Sequence, residues 1–202
     1  MKTILQFEDA NEILKPYYSA LIKCLDKSFA DCNAMSNFFS TQNPAHFKPR
    51  TKGSFIADRL KIHLGNQFDA DSNIRFVEIK GALAVVIQEK LVVRFNKIDQ
   101  RLRMSINRRT KSSKRYLNQI PMEGLEDMTY VWGGYMPDKI WSTINGYYLT
   151  CYNGNLNWHY DMGKNSSLQQ LSIEIPQDKA AKRVKPKTRQ GSNSNKKTGT
   201  ED

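Results

Sequence analysis

Residues 74–95 constrain the fold more than any other part of this 202-residue chain. Residues 74–79 alternate apolar and polar side chains, the period of a half-buried strand. Residues 82–88 are almost all apolar (Ala82, Leu83, Ala84, Val85, Val86, Ile87), as a strand buried on both faces must be. Residues 91–95 are β-branched and aromatic. Lys80-Gly81 and Glu89-Lys90 separate the three runs and suit tight turns. An antiparallel meander is therefore expected, with 82–88 central and covered on both sides.

Helices are expected before it. Ile13, Leu14, Tyr17, Tyr18, Leu21, Ile22, Leu25 and Phe29 recur at three and four, one face of a helix over 8–40. Pro16 suits the first turn of the main helix. Phe38 and Phe39 extend the apolar side until Asn43-Pro44 breaks it. Ser54 is a suitable N-cap for a helix over 55–66, with Gly65 at its end. After a basic connection over 97–109, Thr110 can cap a helix to about Gln119, closed by Pro121. Strands are expected over 128–135, 147–152 and 156–160, the first two joined through Gly133-Gly134 and Asn145-Gly146, with a hairpin signal at Asn153-Gly154-Asn155 before the third. The fold class is α+β, α/β-like: N-terminal helices, an α-β-β-β-α-β-β sheet domain with an antiparallel meander, and a disordered basic tail. The expected organisation is a helical segment over 1–43, a core domain over 44–162, and a linker and tail over 163–202.

Charge narrows the function. The formal net charge is +11, and it is concentrated. Residues 90–115 carry Lys90, Arg94, Lys97, Arg101, Arg103, Arg108, Arg109, Lys111, Lys114 and Arg115 against the single acid Asp99. Residues 179–202 add eight basic groups against two acids, with little that is apolar, so the tail is expected to be disordered. The longest apolar run is six residues, Ala82–Ile87, far below the roughly 18–20 of a membrane helix. The first nine residues gain acids where a signal peptide needs apolar ones. Three cysteines, Cys24, Cys32 and Cys151, form no zinc-like spacing, which fits a reducing, cytoplasmic compartment. No metal or other cofactor is expected from these patterns.

The stretch His46-Phe47-Lys48-Pro49-Arg50-Thr51-Lys52-Gly53-Ser54-Phe55, the strand from Gly81 to Glu89, Leu91-Val92-Val93-Arg94-Phe95-Asn96-Lys97, Gln119 and Gly134-Tyr135 resemble an uncharacterised group of bacterial and mobile-element proteins. That group combines a Pro-Arg-Thr helix start, a Gly-led apolar strand, an Arg-Phe-x-Lys strand end, a Thr-led helix ending in Gln, and a Gly-Tyr strand. Arg50, Thr51, Arg94, Lys97, Thr110 and Gln119 stand at matching positions over about residues 46–160. Its members are often found near helix-turn-helix repressors or ImmA/IrrE-like metallopeptidases. The resemblance implies a regulatory or defence setting and no particular reaction.

Three readings of function follow. In the first, the protein is a non-catalytic nucleic-acid binder. Arg50, Lys52, Arg94, Lys97, Arg101, Arg103, Arg108, Arg109, Lys111, Lys114 and Arg115 contact phosphates, and Thr110 with the start of its helix adds backbone donors. The alternative for Arg94 and Arg50 is structural pairing with Asp58 or Glu89. In the second, the element order and Val77-Glu78-Ile79-Lys80-Gly81 resemble the PD-(D/E)XK nucleases. That resemblance implies Glu78 with Asp71 (or Asp69, helped by Asp58) holding Mg²⁺ while Lys80 assists water attack. Against it, the Glu-x-Lys pattern lies on the first expected strand rather than the third, and a charged strand edge explains it equally. In the third, the basic face meets an acidic protein partner, as in an antitoxin-like or inhibitor module. Cys24 and Cys32 read as core thiols, His159 beside Asp161 as a packed strand histidine, and His46 and His63 as isolated. The dense aromatics from Tyr130 to Tyr160 serve the core or stack bases.

Overall fold

The computed structural model describes residues 2–42 and 47–164. The expected basic tail and His46 lie outside them. The elements run α1 (Phe7–Leu14), a 3₁₀ turn (Lys15–Tyr17), α2 (Tyr18–Gln42), α3 (Pro49–Phe68), β1 (Ile74–Ile79), β2 (Ala82–Ile87), β3 (Leu91–Lys97), α4 (Lys111–Leu117), β4 (Thr129–Pro137), β5 (Ile144–Asn153) and β6 (Asn155–Asp161). The described residues belong to one compact unit, so the N-terminal helices and the sheet share a body. None of the described helices is long and apolar enough to cross a membrane.

The six strands lie in chain order in one sheet. Every neighbouring pair is antiparallel except β3 and β4, which run parallel. A parallel neighbour needs a crossover, and residues 98–128 supply it with α4 inside. The α+β class and the antiparallel meander are as the sequence indicates; β2, however, lies next to the β1 edge rather than at the centre.

Alternation along the strands builds two cores. Val85 and Ile87 of β2, Leu91 and Val93 of β3, and Val131, Leu149 and Cys151 face α1, α2 and α3. Ala84, Val86, Val92, Tyr130, Trp132 and Tyr152 face α4 and the crossover. Ala84, Val85, Val86 and Ile87 are all fully buried, which is why that segment tolerates no polar side chain.

The helix boundaries depart from the periodicity in two places. Pro16 sits in the 3₁₀ turn that separates α1 from α2, because its ring removes a donor a continuous helix would need. α3 starts at Pro49, not Ser54; proline at the first helical position loses only an N–H that would be unpaired anyway. Ser54 lies inside and donates to the Arg50 carbonyl at 3.1 Å. Gly65 does not end α3. Ile56, Leu60, Leu64 and Phe68 bury one stripe on the sheet, and that packing outweighs the cost of about 1 kcal/mol for an interior glycine.

Polar ties fix the layers. Asp31 of α2 accepts from Arg59 Nε at 2.6 Å and contacts His63 Nε2 at 2.8 Å on α3. Burial pushes the Asp31 carboxyl up, but those hydrogen bonds and charges outweigh it and hold the pKa below the usual range. The Tyr147 hydroxyl donates to Asp26. The Leu5 N–H donates to Thr129 Oγ1 at 2.9 Å, and the Trp158 indole donates to the Leu5 carbonyl at 3.2 Å.

Candidate nucleic-acid interface

The site grows from one strand and one short helix. In β3, Arg94 keeps step with Val92 and so lies on the α4 side. Its guanidinium carbon stands 5.3 Å from the Tyr116 ring centroid and 5.1 Å from that of Trp132. Burial lowers its pKa from the ordinary arginine value, offset in part by Tyr116. Neither expected carboxylate reaches it. Glu89 takes both prongs of Arg75 at 2.8 Å, and among the described residues no ion pair includes Arg94. Cation–π contact is worth about 0.5–2 kcal/mol, whereas partial desolvation of a cation costs several. Arg94 is therefore an under-compensated positive charge.

It forms one wall of an open cleft of about 370 Å³, lined also by Ile79, Lys80, Thr110, Ser112 and Ser113. No acid lines it. Lys80 reaches the cleft through a tight turn in which Lys80 (φ 53°) and Gly81 (φ 78°) are both left-handed, the geometry of a two-residue hairpin. Thr110 caps α4 as expected: its Oγ1 accepts from the Ser113 N–H at 3.2 Å and lies 2.8 Å from Ser113 Oγ. That cap occupies the Ser113 N–H, so the backbone donor expected there is taken. The Ser112 hydroxyl has no partner among the described residues.

Along the crossover and α4, Arg101, Arg103, Arg108, Arg109, Lys111, Lys114 and Arg115 are all exposed. Arg103 is tied to Asp99 at 3.0 Å, and Arg108 stands beside the Tyr152 hydroxyl. Arg109, Lys111, Lys114 and Arg115 have no carboxylate partner among the described residues.

Other expected contacts fall elsewhere. Lys97, three residues from Arg94, lies on the opposite face, its Nζ 5.0 Å from the Trp141 ring centroid. Arg50 and Lys52 lie in the first turn of α3, on the helix side. Lys97, Arg101, Arg103 and Lys139 line a second cleft, but Asp99 and Asp138 share it. The eleven expected phosphate contacts thus divide between two faces, and of the two clefts only the one beside α4 has no acid among its described lining residues.

The nuclease set does not converge. Glu78 keeps step with Phe76 on the helix side and lies 3.7 Å from Lys61 of α3. Lys80 lines the cleft on the other side. Asp71 precedes β1 and takes the Asn73 N–H at 2.9 Å; Ile74 and Glu78 alone are about 13 Å apart along an extended strand. Among the described residues no group of three or more His, Cys, Asp or Glu is placed to hold a metal ion.

The aromatic set is mostly core: Tyr130, Trp132, Tyr135, Trp141, Tyr152 and Trp158 are buried. His159 is half-buried on β6, its pKa lowered by burial against a smaller opposing effect of Asp161. Cys24, Cys32 and Cys151 are buried free thiols, and burial pushes Cys151 up to about 12.

The sequence places Gln119 at the end of the Thr110-led helix but gives no hint of its role. It follows α4, is buried, and has φ 53°. Its Nε2 donates to the carbonyls of Tyr130 and Tyr152, both at 2.8 Å, and its Oε1 accepts from the Tyr130 N–H at 2.8 Å. The Tyr116 hydroxyl lies 2.7 Å from the Val92 carbonyl and 2.8 Å from that of Val131. Together they lock α4, and with it the cleft, onto β3, β4 and β5. Comparison with known proteins finds no matching family model, curated protein or solved structure.

Proposed function

We propose that this protein binds nucleic acid, without cutting it, through the α4 side of its sheet. The observation that carries the reading is Arg94, a half-buried guanidinium that, among the described residues, has no carboxylate partner, in a cleft with no acid on its described lining, beside a helix whose outer cations pair with no described carboxylate. Cations fixed in one region without local anions raise the surface potential and attract polyanions. Phosphate backbones then gain by releasing counterions. The +6 segment over 179–202 adds sequence-independent attraction by the same effect. The resemblance set out above would place such binding in a mobile-element regulatory or defence system.

The test is fluorescence anisotropy with labelled duplex DNA, single-stranded DNA and RNA across a salt series. A triple variant, Lys111→Glu, Lys114→Glu and Arg115→Glu, is expected to lose at least about tenfold in affinity. Its log–log salt slope should fall by about 0.9 per duplex phosphate contact removed. Arg50→Glu with Lys52→Glu, on the other side, should change little. Equal affinity in the triple variant would refute the α4 face. Mg²⁺-dependent cleavage lost in Glu78→Ala would replace the reading with a nuclease.

A further inference from the structure

Resting on that reading, we infer that the Arg94 cleft seats a terminal phosphate, the monoester at the end of a nucleic-acid strand, rather than a mid-strand phosphodiester. Three observations converge on it. First, the cleft is a recess lined by Ile79 and Lys80 of the β1–β2 corner, by Arg94 of β3, and by Thr110, Ser112 and Ser113 at the start of α4. A chain end can enter such a recess, whereas a mid-strand phosphate must also route two ester arms out of it. Second, its charge is two: the guanidinium of Arg94 and the ammonium of Lys80, with no acid on the lining. A phosphate monoester carries about −1.5 to −2 at pH 7, and a diester only −1. Third, the donor chemistry fits. Arg94 presents a rigid fork suited to two phosphate oxygens, and its orientation is held by Tyr116 and Trp132. Ser112, on the α4 part of the lining, offers a hydroxyl with no partner among the described residues.

The rest of the molecule keeps these groups available. Glu89, the nearest acid expected for Arg94, is spent on Arg75. Glu78, two residues before Lys80, is drawn to Lys61 on the other face. Pairing Arg94 with either acid would have filled the cleft from within.

The experiment compares oligonucleotides of one sequence ending in 5′-phosphate, 3′-phosphate or hydroxyl only, by anisotropy with the full chain, with inorganic phosphate and sulfate as competitors. One phosphorylated end is expected to bind at least about tenfold tighter than the hydroxyl end, the scale of one charge-assisted bidentate contact. That advantage should shrink as pH falls through about 6, where the monoester gains a proton. It should vanish in Arg94→Gln and weaken in Lys80→Asn, which removes the charge and tolerates the left-handed turn. Because Lys80 is exposed, the second variant keeps the test valid if the first misfolds. The triple variant on α4 should lower all affinities and keep the ratio. Equal affinity for all three ends in the wild type would overturn the phosphate seat and leave general binding intact. No binding of any of the three oligonucleotides, even at low salt, would overturn both the strand-end assignment and the proposed function.

Discussion

Replacing Gln119 tests how α4 is fastened. In Gln119→Ala, the carbonyls of Tyr130 and Tyr152 and the Tyr130 N–H lose their 2.8 Å partner inside the protein. An orphaned buried polar group costs about 1–3 kcal/mol. The two carbonyls fall at the low end because each keeps a second lone pair, so the sum is about 3–5 kcal/mol. That is a large share of the roughly 5–15 kcal/mol that holds a domain. Gln119→Glu sharpens the test. Its carboxylate can accept from the Tyr130 N–H but meets two carbonyl oxygens without a proton to donate. The folded-state pKa of that Glu must therefore rise above its unfolded value of about 4.3. A group with a raised folded pKa is least costly below the unfolded pKa, and its stability contribution falls as pH rises through the folded pKa. The deficit of Gln119→Glu relative to wild type should thus be largest at neutral pH and shrink towards pH 4. Urea unfolding followed by circular dichroism and tryptophan fluorescence reads both numbers. A loss below about 1 kcal/mol in the alanine variant, or a pH-independent deficit in the glutamate variant, would refute the idea that this amide serves as the last rung between β4 and β5.

Two further outcomes are expected. The Lys2 ammonium lies 3.4 Å from the Tyr130 ring centroid with no acceptor among the described residues, and burial, partly offset by Cys151 and Asp127, lowers its pKa to about 8; between pH 8 and about 10 the unfolded chain binds the extra proton, so stability should rise with pH there, and thermal melts of Lys2→Met should lack that rise. Gly133 faces Phe95 across the parallel pair, and a Cβ there would stand 2.5 Å from the ring; Gly133→Ala should cost about 1–3 kcal/mol in denaturant unfolding, and a neutral result would show that the ring moves freely.

Much of this architecture was readable from residue order, and the reasons for the exceptions are physical. The run over 82–88 announced the double burial of Ala84, Val85, Val86 and Ile87, because no solvated strand can do without polar positions. Thr110 announced its cap because the hydroxyl, the helix start and the spacing to Ser113 are all local. The β3–β4 pairing was hidden, since alternation reveals a strand but not its neighbour or its direction. The start of α3 was hidden because Pro49 reads both as a loop breaker and as a first helical residue. For the interface, the separation of Arg94 from Lys97 was available in the sequence: three residues apart on a strand means opposite faces. What the sequence did not show was the aromatic seat of Arg94. Tyr116 and Trp132 are 22 and 38 positions away from it, and only the crossover brings them together.

That crossover also governs how the chain must assemble. The turns joining β1 to β2, β2 to β3, β4 to β5 and β5 to β6 span at most six residues, while β3 and β4 are separated by the thirty-one residues 98–128. Closing the long loop costs about 2 kcal/mol more chain entropy than closing a three-residue turn. Two hairpin triplets can thus form from local contacts, and the seam between them is the slow, high-contact-order event. The residues lining the recess over Arg94 all precede that seam, but Trp132 beside Arg94 and the Val131 carbonyl that anchors Tyr116 lie beyond it, so the recess takes its final shape only once the two halves have zipped together.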